Sequence, residues 1–348
     1  MTPDVEQTSR PGLFCPGCRS RMAWPEHCDS HVVCSCGKNY PSLLGIVDLR
    51  SGEDPYCGNT ADNSIARNLA SHFDRLNFQA LLEYYFVNHC PELGPDDVRR
   101  QISHILRSDN PIEMCLDSEF SRLNSDLTVA DLGTGTGTAI IALTKSGMSA
   151  EAIVGVDIAL RWLVLARKRL MENGLEAVRL LCANAEAIPL ESGRYSIVFG
   201  GDMIEHVTNP SGVFTETARL LAPGGKAVYP TPNRFSLGRE PHVGLFFAGW
   251  LPRRLAPAYC RWRGSAPWQG IFTRSAGGWN RLLSGLFFDN PCIFYSISPG
   301  LVARPGGRLV RLIHAYNSAL QSSRFFRLLA LLFGPILLVQ IKRREEGA

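Results

Sequence analysis

Residues 128–138 read Thr128-Val129-Ala130-Asp131-Leu132-Gly133-Thr134-Gly135-Thr136-Gly137-Thr138, and the apolar run Ala139 to Leu143 follows them. A short apolar strand, a glycine-rich turn and a helical run form the order of elements that brings backbone close to a nucleotide. The glycines fall at the first, third and fifth positions of the turn, whereas a dinucleotide fingerprint places them at the first, third and sixth. The spacing therefore argues against NAD or FAD.

Two carboxylates complete this half of a nucleotide site. Asp131 stands before the first glycine, where a carboxylate suits the ammonium of an amino-acid ligand or the amides of the loop. About twenty residues past the last glycine, Ile153-Val154-Gly155-Val156-Asp157 predicts a second buried strand. Its terminal acid, Asp157, is placed to bind two ribose hydroxyls.

These two stretches resemble motif I and the acidic motif of class I S-adenosylmethionine-dependent methyltransferases, of the methyltransferase-11 and ubiquinone-biosynthesis type. The resemblance continues over roughly residues 125 to 235. Its further segments are Cys182 to Pro189 for adenine contact, with Asn184 where the family usually has Asp, Tyr195 to Phe199 as strand four, the turn Glu205-His206-Val207, and Leu221 to Gly225 as the turn into strand five.

The resemblance implies a Rossmann-like, doubly wound α/β sheet of seven strands with strand seven antiparallel, and S-adenosyl-L-methionine as cofactor. The alternation of strands and helical runs also predicts a parallel sheet with its ligand at the carboxyl ends of the strands. The expected cofactor-binding residues are Asp131, Gly133, Thr134, Gly135, Gly137, Asp157, Ile158, Asn184, Ala185 and Asp202.

Composition limits the class of protein. The 348 residues are 45% hydrophobic and 20% charged, which is ordinary for a globular chain of two or three folding units. The net charge of +4 is too slight to indicate a nucleic-acid partner by itself. Met1 to Arg10 has no apolar stretch of the kind that a secretion signal requires, and the eleven cysteines do not form a regular framework. We therefore expect a cytoplasmic protein with reduced thiols.

Residues 13 to 50 contain paired cysteines. Cys15 and Cys18 form one CxxC knuckle, and Cys34 and Cys36 form a tighter pair sixteen residues later, so that four thiolates are available to a structural zinc. A unit this short gains folding free energy from a metal. Cys28, His27 and His31 are alternative ligands, and a ribbon that has lost its metal is the other interpretation. Lys38 to Leu49 resembles the end of zinc-ribbon modules that precede some bacterial methyltransferases.

The remaining chain divides by pattern. Ser51 to Thr60 is rich in turn residues and predicts a linker, and apolar spacing predicts helices over Ser64 to Asn88, near Asp96 to Arg107 and near Glu113 to Arg122. The predicted domains are a zinc-ribbon-like module (1–52), a helical cofactor and substrate cover (60–123), the methyltransferase core (124–235), a substrate cap with its helix (236–290) and C-terminal antiparallel strands (291–348). In the helix after Asp157, the charges Arg161, Arg167, Lys168 and Arg169 predict a solvated face.

The segment after strand five predicts the acceptor site. Thr231 to Phe235 resembles the corresponding segment of small-molecule O-methyltransferases, and residues 245 to 272 interleave aromatic side chains with arginines. Such a stretch fits either a pocket lid or stacking on single-stranded nucleic acid, and the lack of a long basic run favours the lid. If the acceptor is a hydroxyl, His242 and His206 are the candidate catalytic bases. The alternative for His206 is a structural residue that opens a turn.

The C-terminal stretch Leu328 to Ile341 is apolar and is flanked by basic residues. Its fourteen residues are too few to span a bilayer, for which about twenty are needed. Pro291 to Ser298 and Ile336 to Lys342 are instead expected to form the last antiparallel pair, with a helix from Phe325 to Phe333 between them. A peripheral membrane contact by that helix is the alternative.

Three functions compete at this point. The resemblance favours an enzyme (EC 2.1.1.-) that transfers a methyl group to oxygen or nitrogen of a small-molecule or glycan-like metabolite. The zinc ribbon also fits an RNA methyltransferase, since one class of ribosomal RNA guanine methyltransferases begins with such a module. A non-catalytic partner that has kept the fold is the third. Retention of Asp131, all three glycines and Asp157 argues against the third.

Overall fold

The computed structural model describes residues 11–25, 31–107, 127–265, 268–284, 292–294, 311, 315–316, 318–320 and 322–343. The helix predicted near Glu113 to Arg122 and the alternative zinc ligands His27 and Cys28 lie outside these residues. The strands are β1 Leu13–Phe14, β2 Arg21–Met22, β3 His31–Val33, β4 Asn39–Leu43, β5 Ile46–Asp48, β6 Val129–Leu132, β7 Ile153–Asp157, β8 Arg179–Cys182, β9 Tyr195–Phe199, β10 Leu221–Pro232, β11 Cys292–Phe294 and β12 Ile336–Lys342. The helices are α1 Gly58–Ala70, α2 Phe78–His89, α3 Pro95–Arg107, α4 Thr138–Lys145, α5 Leu160–Glu172, α6 Pro210–Leu220, α7 Ala256–Trp262, α8 Ala276–Leu283 and α9 Arg324–Phe333.

The chain forms two compact units. The first comprises residues 1–109, 123–198 and 212–222, and the second comprises residues 110–122, 199–211 and 223–348. Among the described residues, no helix combines the length and the apolar character needed to cross a membrane.

The first unit contains four neighbouring strands of the sheet, in the order β9-β6-β7-β8. β6, β7 and β8 run parallel, because helices connect them on the way back. Every residue of β6 is buried, and so is β7 apart from its last residue, Asp157. Fully buried strands of this kind have a continuous apolar sequence, which is why the sequence indicated both.

The strand order continues beyond β8 with β5, β4 and β3. β5 runs parallel to β8, with Val47 opposite Leu181, and Leu49 N–H donates to the Cys182 carbonyl oxygen at 2.8 Å. The strands of the cysteine-rich segment thus extend the sheet of the first unit. The sequence pattern did not predict this pairing.

The predicted linker is an ordered connection. α1 begins at Gly58, and Asp54 is buried within the predicted linker, with 2% of its surface exposed. Asp54 Oδ2 pairs with the Arg161 guanidinium at 2.5 Å, and that same guanidinium lies 2.6 Å from Asp62 Oδ1. Asp62 also accepts the N–H of Leu160 at 2.8 Å, at the start of α5. The segment is therefore held by buried charges rather than exposed to solvent.

The predicted solvated face of α5 is wrong for three of its four charges. Arg161, Arg167 and Arg169 are buried. Arg167 donates to the carbonyl oxygen of Val178 at 3.0 Å, and Arg169 donates to the hydroxyl of Thr138 at 2.6 Å. Each guanidinium thus has at least one polar partner, although Nε of Arg167 has none among the described residues.

The second unit contains the C-terminal strands, in the order β10-β12-β11, and both pairings are antiparallel. The predicted antiparallel pair and the predicted helix before β12 are confirmed in the described residues. The chain after β9 lies beside β10, since Gly200 N–H donates to the Val228 carbonyl oxygen at 3.1 Å. The described strands and helices are of the predicted α/β class, and the final strand, β12, is antiparallel as predicted.

Three local features concern the start of β10, the end of α9 and the aromatic insertion. Leu221 to Gly225, predicted as a turn, forms the beginning of the long strand β10. α9 ends directly before β12 because Gly334 allows a close approach: a Cβ there would lie 2.4 Å from the Ala330 carbonyl oxygen. Part of the aromatic insertion packs into a small cluster around Val243, Ala248 and Cys260.

Candidate functional site

The glycine turn between β6 and α4 is held by the neighbouring strand. Gly133, Gly135 and Gly137 all have positive φ angles, of 70°, 51° and 77°. L-residues with a side chain rarely adopt this backbone conformation, which explains the alternate glycines. Gly133 N–H donates to the Val156 carbonyl oxygen at 2.8 Å, and Gly135 N–H donates to Asp157 Oδ2 at 2.8 Å. The end of β7 therefore fixes the shape of the turn.

Asp157 supports two backbone segments at once. Besides Gly135, it accepts the N–H of Ala159 through Oδ1 at 2.9 Å. The two oxygens of an ionised carboxylate offer about four acceptor positions, and these two hydrogen bonds occupy two of them. Burial raises the pKa of Asp157 despite these donors. Two acceptor positions remain at a half-buried carboxylate beside the glycine turn.

Asp131 has an unsatisfied carboxylate oxygen. The residue is 1% exposed, and its Oδ2 atom has no hydrogen-bond partner among the described residues. Burial, together with the nearby charge of Asp157, raises the pKa of Asp131 to about 7. An unpartnered buried acceptor is costly, and a donor supplied by a ligand would remove that cost.

Asn184 connects the predicted adenine segment to the end of the cysteine-rich segment. Its Oδ1 accepts the N–H of Ser51 at 2.9 Å and that of Gly52 at 3.0 Å. The carbonyl oxygen of Ile158 accepts from Arg50 at 3.2 Å. The first unit contains Asp131, Gly133, Thr134, Gly135, Gly137, Asp157, Ile158, Asn184 and Ala185, whereas Asp202 belongs to the second unit.

The second unit brings the two predicted histidines together. Nε2 of His242 lies 3.0 Å from Nε2 of His206. His206 is on a short 3₁₀ turn, Ile204–His206, and its Nδ1 faces the Gly270 carbonyl oxygen at 3.2 Å. Nδ1 of His242 lies 2.6 Å from Glu240 Oε1. Both histidines were candidate bases from the sequence, but their contact was not predicted.

Two glutamates complete this cluster. Glu205 is fully buried, and its Oε1 lies 3.7 Å from His242 Nε2, while its Oε2 accepts the Thr231 hydroxyl at 2.9 Å. Glu240 Oε2 accepts the N–H groups of His242 and Val243 at 2.9 and 3.0 Å. Sequence reasoning did not assign either glutamate to the site. The available signal was that each acid lies within two residues of a candidate histidine.

The pKa values of the two histidines shift in opposite directions. Burial and the charge of His242 lower the pKa of His206 to about 4. Burial also disfavours the charged form of His242, but the hydrogen bond to Glu240 and the nearby acids outweigh it and raise the pKa of His242. Burial and the charge of Asp202 raise the pKa of Glu205 to about 8.

The four cysteines predicted as ligands also come together. Cys15 and Cys18 lie at the turn between β1 and β2, and Cys34 and Cys36 lie at the turn between β3 and β4. The Sγ atoms of Cys15 and Cys36 are 3.8 Å apart, those of Cys18 and Cys34 are 3.4 Å apart, and all four lie within 4.8 Å of one another. A hydrogen bond from the Cys36 N–H lowers the pKa of Cys34 to about 5.

Comparison with known proteins identifies the central segment. Residues 130–229 match the model of a methyltransferase domain family. A malonyl-[acyl-carrier protein] O-methyltransferase from Marinomonas sp. is 32% identical over 136 residues, which are 36% of this chain and 49% of the relative. A ubiquinone biosynthesis O-methyltransferase from Bordetella avium is 30% identical over 129 residues, which are 37% of this chain and 52% of the relative.

A longer match is an uncharacterised 37.1 kDa protein in a transposon of Streptomyces fradiae, 33% identical over 198 residues, which are 56% of this chain and 53% of that protein. The chain thus spans about half the length of these relatives. The match of residues 130–229 to a methyltransferase domain family agrees with the motifs of the sequence.

Proposed function

We propose that this chain, which contains a methyltransferase domain over residues 130–229, transfers a methyl group from S-adenosyl-L-methionine to oxygen or nitrogen of a small-molecule or glycan-like metabolite. The observation that carries the proposal is the glycine turn of this domain, which lies between the orphaned carboxylate of Asp131 and the half-free carboxylate of Asp157. Oδ2 of Asp131 has no hydrogen-bond donor among the described residues, and the carboxylate of Asp157 retains two acceptor positions.

The residues present fit this cofactor. Its ammonium would donate to Asp131 Oδ2, which has no hydrogen-bond partner among the described residues. Its two ribose hydroxyls would occupy the remaining acceptor positions of Asp157. Ile158, Asn184 and Ala185 would lie along the adenine. When bound, the cofactor supplies an electrophilic methyl group on a sulfonium, and the chain contributes binding, orientation and exclusion of water.

The acceptor class is proposed from the relatives and from the second unit. The two characterised relatives above are named as O-methyltransferases, one of them acting on a malonyl-acyl carrier protein. We propose His206 and His242 as the residues that act on the acceptor, since they are the two imidazoles that the fold brings into contact. Asp202, whose charge acts on Glu205, is proposed to contact the cofactor.

Two measurements test the proposed activity. Titration calorimetry should detect binding of S-adenosylmethionine and much weaker binding of NADH. Mass spectrometry of metabolite and RNA extracts incubated with protein and cofactor should find a gain of about 14 daltons on a metabolite, as methyl transfer requires. A gain confined to RNA would select the RNA methyltransferase, and cofactor binding without any methylated product would select a non-catalytic partner. Failure to bind the cofactor would refute the proposal.

We also propose that Cys15, Cys18, Cys34 and Cys36 bind one structural zinc ion. Tetrahedral ligation with Zn–S bonds of about 2.3 Å places sulfurs about 3.8 Å apart. The Cys18–Cys34 and Cys15–Cys36 pairs are at 3.4 and 3.8 Å. The hydroxyls of Ser20 and Tyr40 lie 3.0 Å from Cys34 Sγ and 3.1 Å from Cys15 Sγ, as outer partners that orient the ligands. Four thiolates leave no open position, so the zinc would be structural.

Elemental analysis should find about one zinc per chain, since one tetrahedral set is present. Cys36→Ser should lose zinc, whereas Cys28→Ser should retain it, and the reverse result would replace Cys36 by Cys28 in the ligand set. Because Asn184 is held by Ser51 and Gly52 just after β5, chelation should also weaken cofactor binding. Unchanged cofactor affinity after complete zinc loss would show that this connection does not depend on the metal.

A further inference from the structure

Three side chains of the second unit direct donor atoms toward one point. Glu205, His206 and His242 each offer one ligand atom, and these atoms lie within 4.8 Å of one another. Glu205 is fully buried, the two imidazoles are half-buried, and the side chain of His242 is 22% exposed. The carboxylate of the cluster is therefore shielded from solvent, whereas the imidazoles are partly accessible to it.

The outer partners of the two imidazoles define which ring nitrogens carry protons. Nδ1 of His206 faces a backbone carbonyl, which only accepts, so this nitrogen is protonated. Nδ1 of His242 faces Glu240, whose other oxygen accepts two backbone N–H groups and so favours the ionised acceptor form. When both imidazoles are neutral, each presents an Nε2 lone pair, and the two Nε2 atoms are 3.0 Å apart.

The third candidate ligand atom, Oε1 of Glu205, has no hydrogen-bond partner among the described residues. Oε1 of Glu205 is buried and accepts no hydrogen bond from any described residue, although Oε2 of the same carboxylate is satisfied by Thr231. It lies 3.7 Å from Nε2 of His242. These three candidate ligand atoms lie within 4.8 Å of one another, and they repel one another unless a proton or a metal ion lies among them.

We propose that a divalent metal ion binds to Glu205 Oε1 and to the Nε2 atoms of His206 and His242. With metal–ligand bonds of about 2.1 Å, the nitrogen–nitrogen distance of 3.0 Å corresponds to an angle of about 90°. On the same basis the nitrogen–oxygen distance of 3.7 Å corresponds to about 120°. Both angles are ordinary for a site with three protein ligands and open positions.

The surroundings match those of a metal site. The carboxylate of Glu240 behind His242 and the carbonyl of Gly270 behind His206 are the outer partners that orient metal-binding imidazoles. Two imidazoles and one carboxylate suit Mn²⁺, Fe²⁺, Co²⁺ or Zn²⁺, and they bind Mg²⁺ or Ca²⁺ less well than oxygen-only sites do.

The role of the ion deepens the proposed methyl transfer and rests on it. An acceptor hydroxyl that takes an open position on the ion loses its proton to solvent more easily, because the metal stabilises the oxyanion. The methyl group then forms its bond to that oxygen, while the electron pair of the broken carbon–sulfur bond stays on sulfur. In this proposal His206 and His242 act on the acceptor as ligands of the ion, and no side chain is needed as a general base.

Manganese binding to the full-length, zinc-loaded chain tests the site without any need for activity. Mn²⁺ prefers oxygen and nitrogen donors to thiolates, so zinc in the cysteine cluster does not interfere. Electron paramagnetic resonance should show the free Mn²⁺ signal decreasing to a stoichiometry of one. Glu240→Gln should weaken binding by about 10- to 100-fold, as loss of an outer partner does, and Glu205→Gln should weaken it further. His104→Gln, at an exposed helical position, is the matched control.

Nuclear magnetic resonance of the unmodified chain gives a second measurement, which does not depend on whether a variant folds. Mn²⁺ should broaden the ring signals of His206 and His242 before that of His104. Absence of this broadening, or equal Mn²⁺ affinity in Glu205→Gln, would overturn the proposal and leave a proton between the two Nε2 atoms. Cofactor binding is measured on the same samples: its retention without Mn²⁺ binding refutes the metal site alone, and its absence refutes the proposed function.

Discussion

Replacing Asp157 by Asn separates the two roles of this carboxylate, because the side chain keeps its size and loses its charge. The carboxylate accepts one N–H from Gly135 and one from Ala159, and two acceptor positions remain for ribose hydroxyls. An asparagine amide has a single oxygen. After accepting one backbone N–H, that oxygen can accept one hydroxyl, while the NH₂ group faces the other backbone donor.

The magnitude follows from this count. The variant loses one hydrogen bond between a hydroxyl and a charged acceptor, which contributes about 1.5 to 3 kcal/mol. Since about 1.4 kcal/mol corresponds to a factor of ten in affinity, binding of S-adenosylmethionine should weaken by about 10- to 150-fold. In addition, the side-chain NH₂ group of the variant faces a backbone N–H, and this contact between two donors further weakens binding.

Titration calorimetry of wild type and variant at pH 8 measures the effect, with thermal unfolding as a check that the fold is retained. Glu151→Gln is the matched control, because it removes the same charge at an exposed position just before β7. The reasoning is refuted if Asp157→Asn binds the cofactor as tightly as wild type. It is also refuted if the control loses as much affinity, since net charge would then explain both results.

Three further predictions concern other parts of the chain. Asp62→Asn should lower the free energy of unfolding in urea by about 3 kcal/mol, because it removes one of the two carboxylate partners of each of the buried side chains Arg50 and Arg161. Asp96→Asn, in an exposed pair with Arg99, should change it by less than about 1 kcal/mol. The raised pKa of Asp131 means that the folded chain binds a proton that the unfolded chain releases, so its contribution to stability falls as pH rises from about 4 to 7. A bound ammonium favours the carboxylate, so cofactor affinity should rise over the same range, with proton release seen by calorimetry in two buffers, and Asp131→Asn should abolish that rise. Phe325 and Phe326 of α9 are 63% and 49% exposed beside Arg324 and Arg327, so the chain should sediment with anionic vesicles, and Phe325→Ser with Phe326→Ser should abolish this if α9 makes the peripheral membrane contact.

Some elements were predictable from local sequence because their cause is local. β7 and β12 have the predicted bounds, since each is an apolar run between turn residues. The start of α6 at Pro210 follows from proline at the first helical position. The glycine turn was predictable because three positions need φ angles that glycine adopts readily.

Other features depend on partners far away in sequence. The arginines of α5 were predicted to be exposed because the acids that pair with Arg161 stand about a hundred residues earlier. Pairing of β5 with β8 joins Val47 to Leu181, a separation for which a single sequence has no signal. The contact between His206 and His242 is likewise created by the fold, and only the type of residue was visible beforehand.

Strand β8 has β7 on one side and β5 on the other. Without residues 46–48 its outer backbone groups would be an open sheet edge, and the sequence there, with Leu180, Leu181 and Cys182 all buried, is apolar. An unprotected apolar edge pairs readily with other chains. We therefore expect that removing residues 46–48 would expose this edge of the domain and increase its tendency to aggregate, even with the glycine turn unchanged.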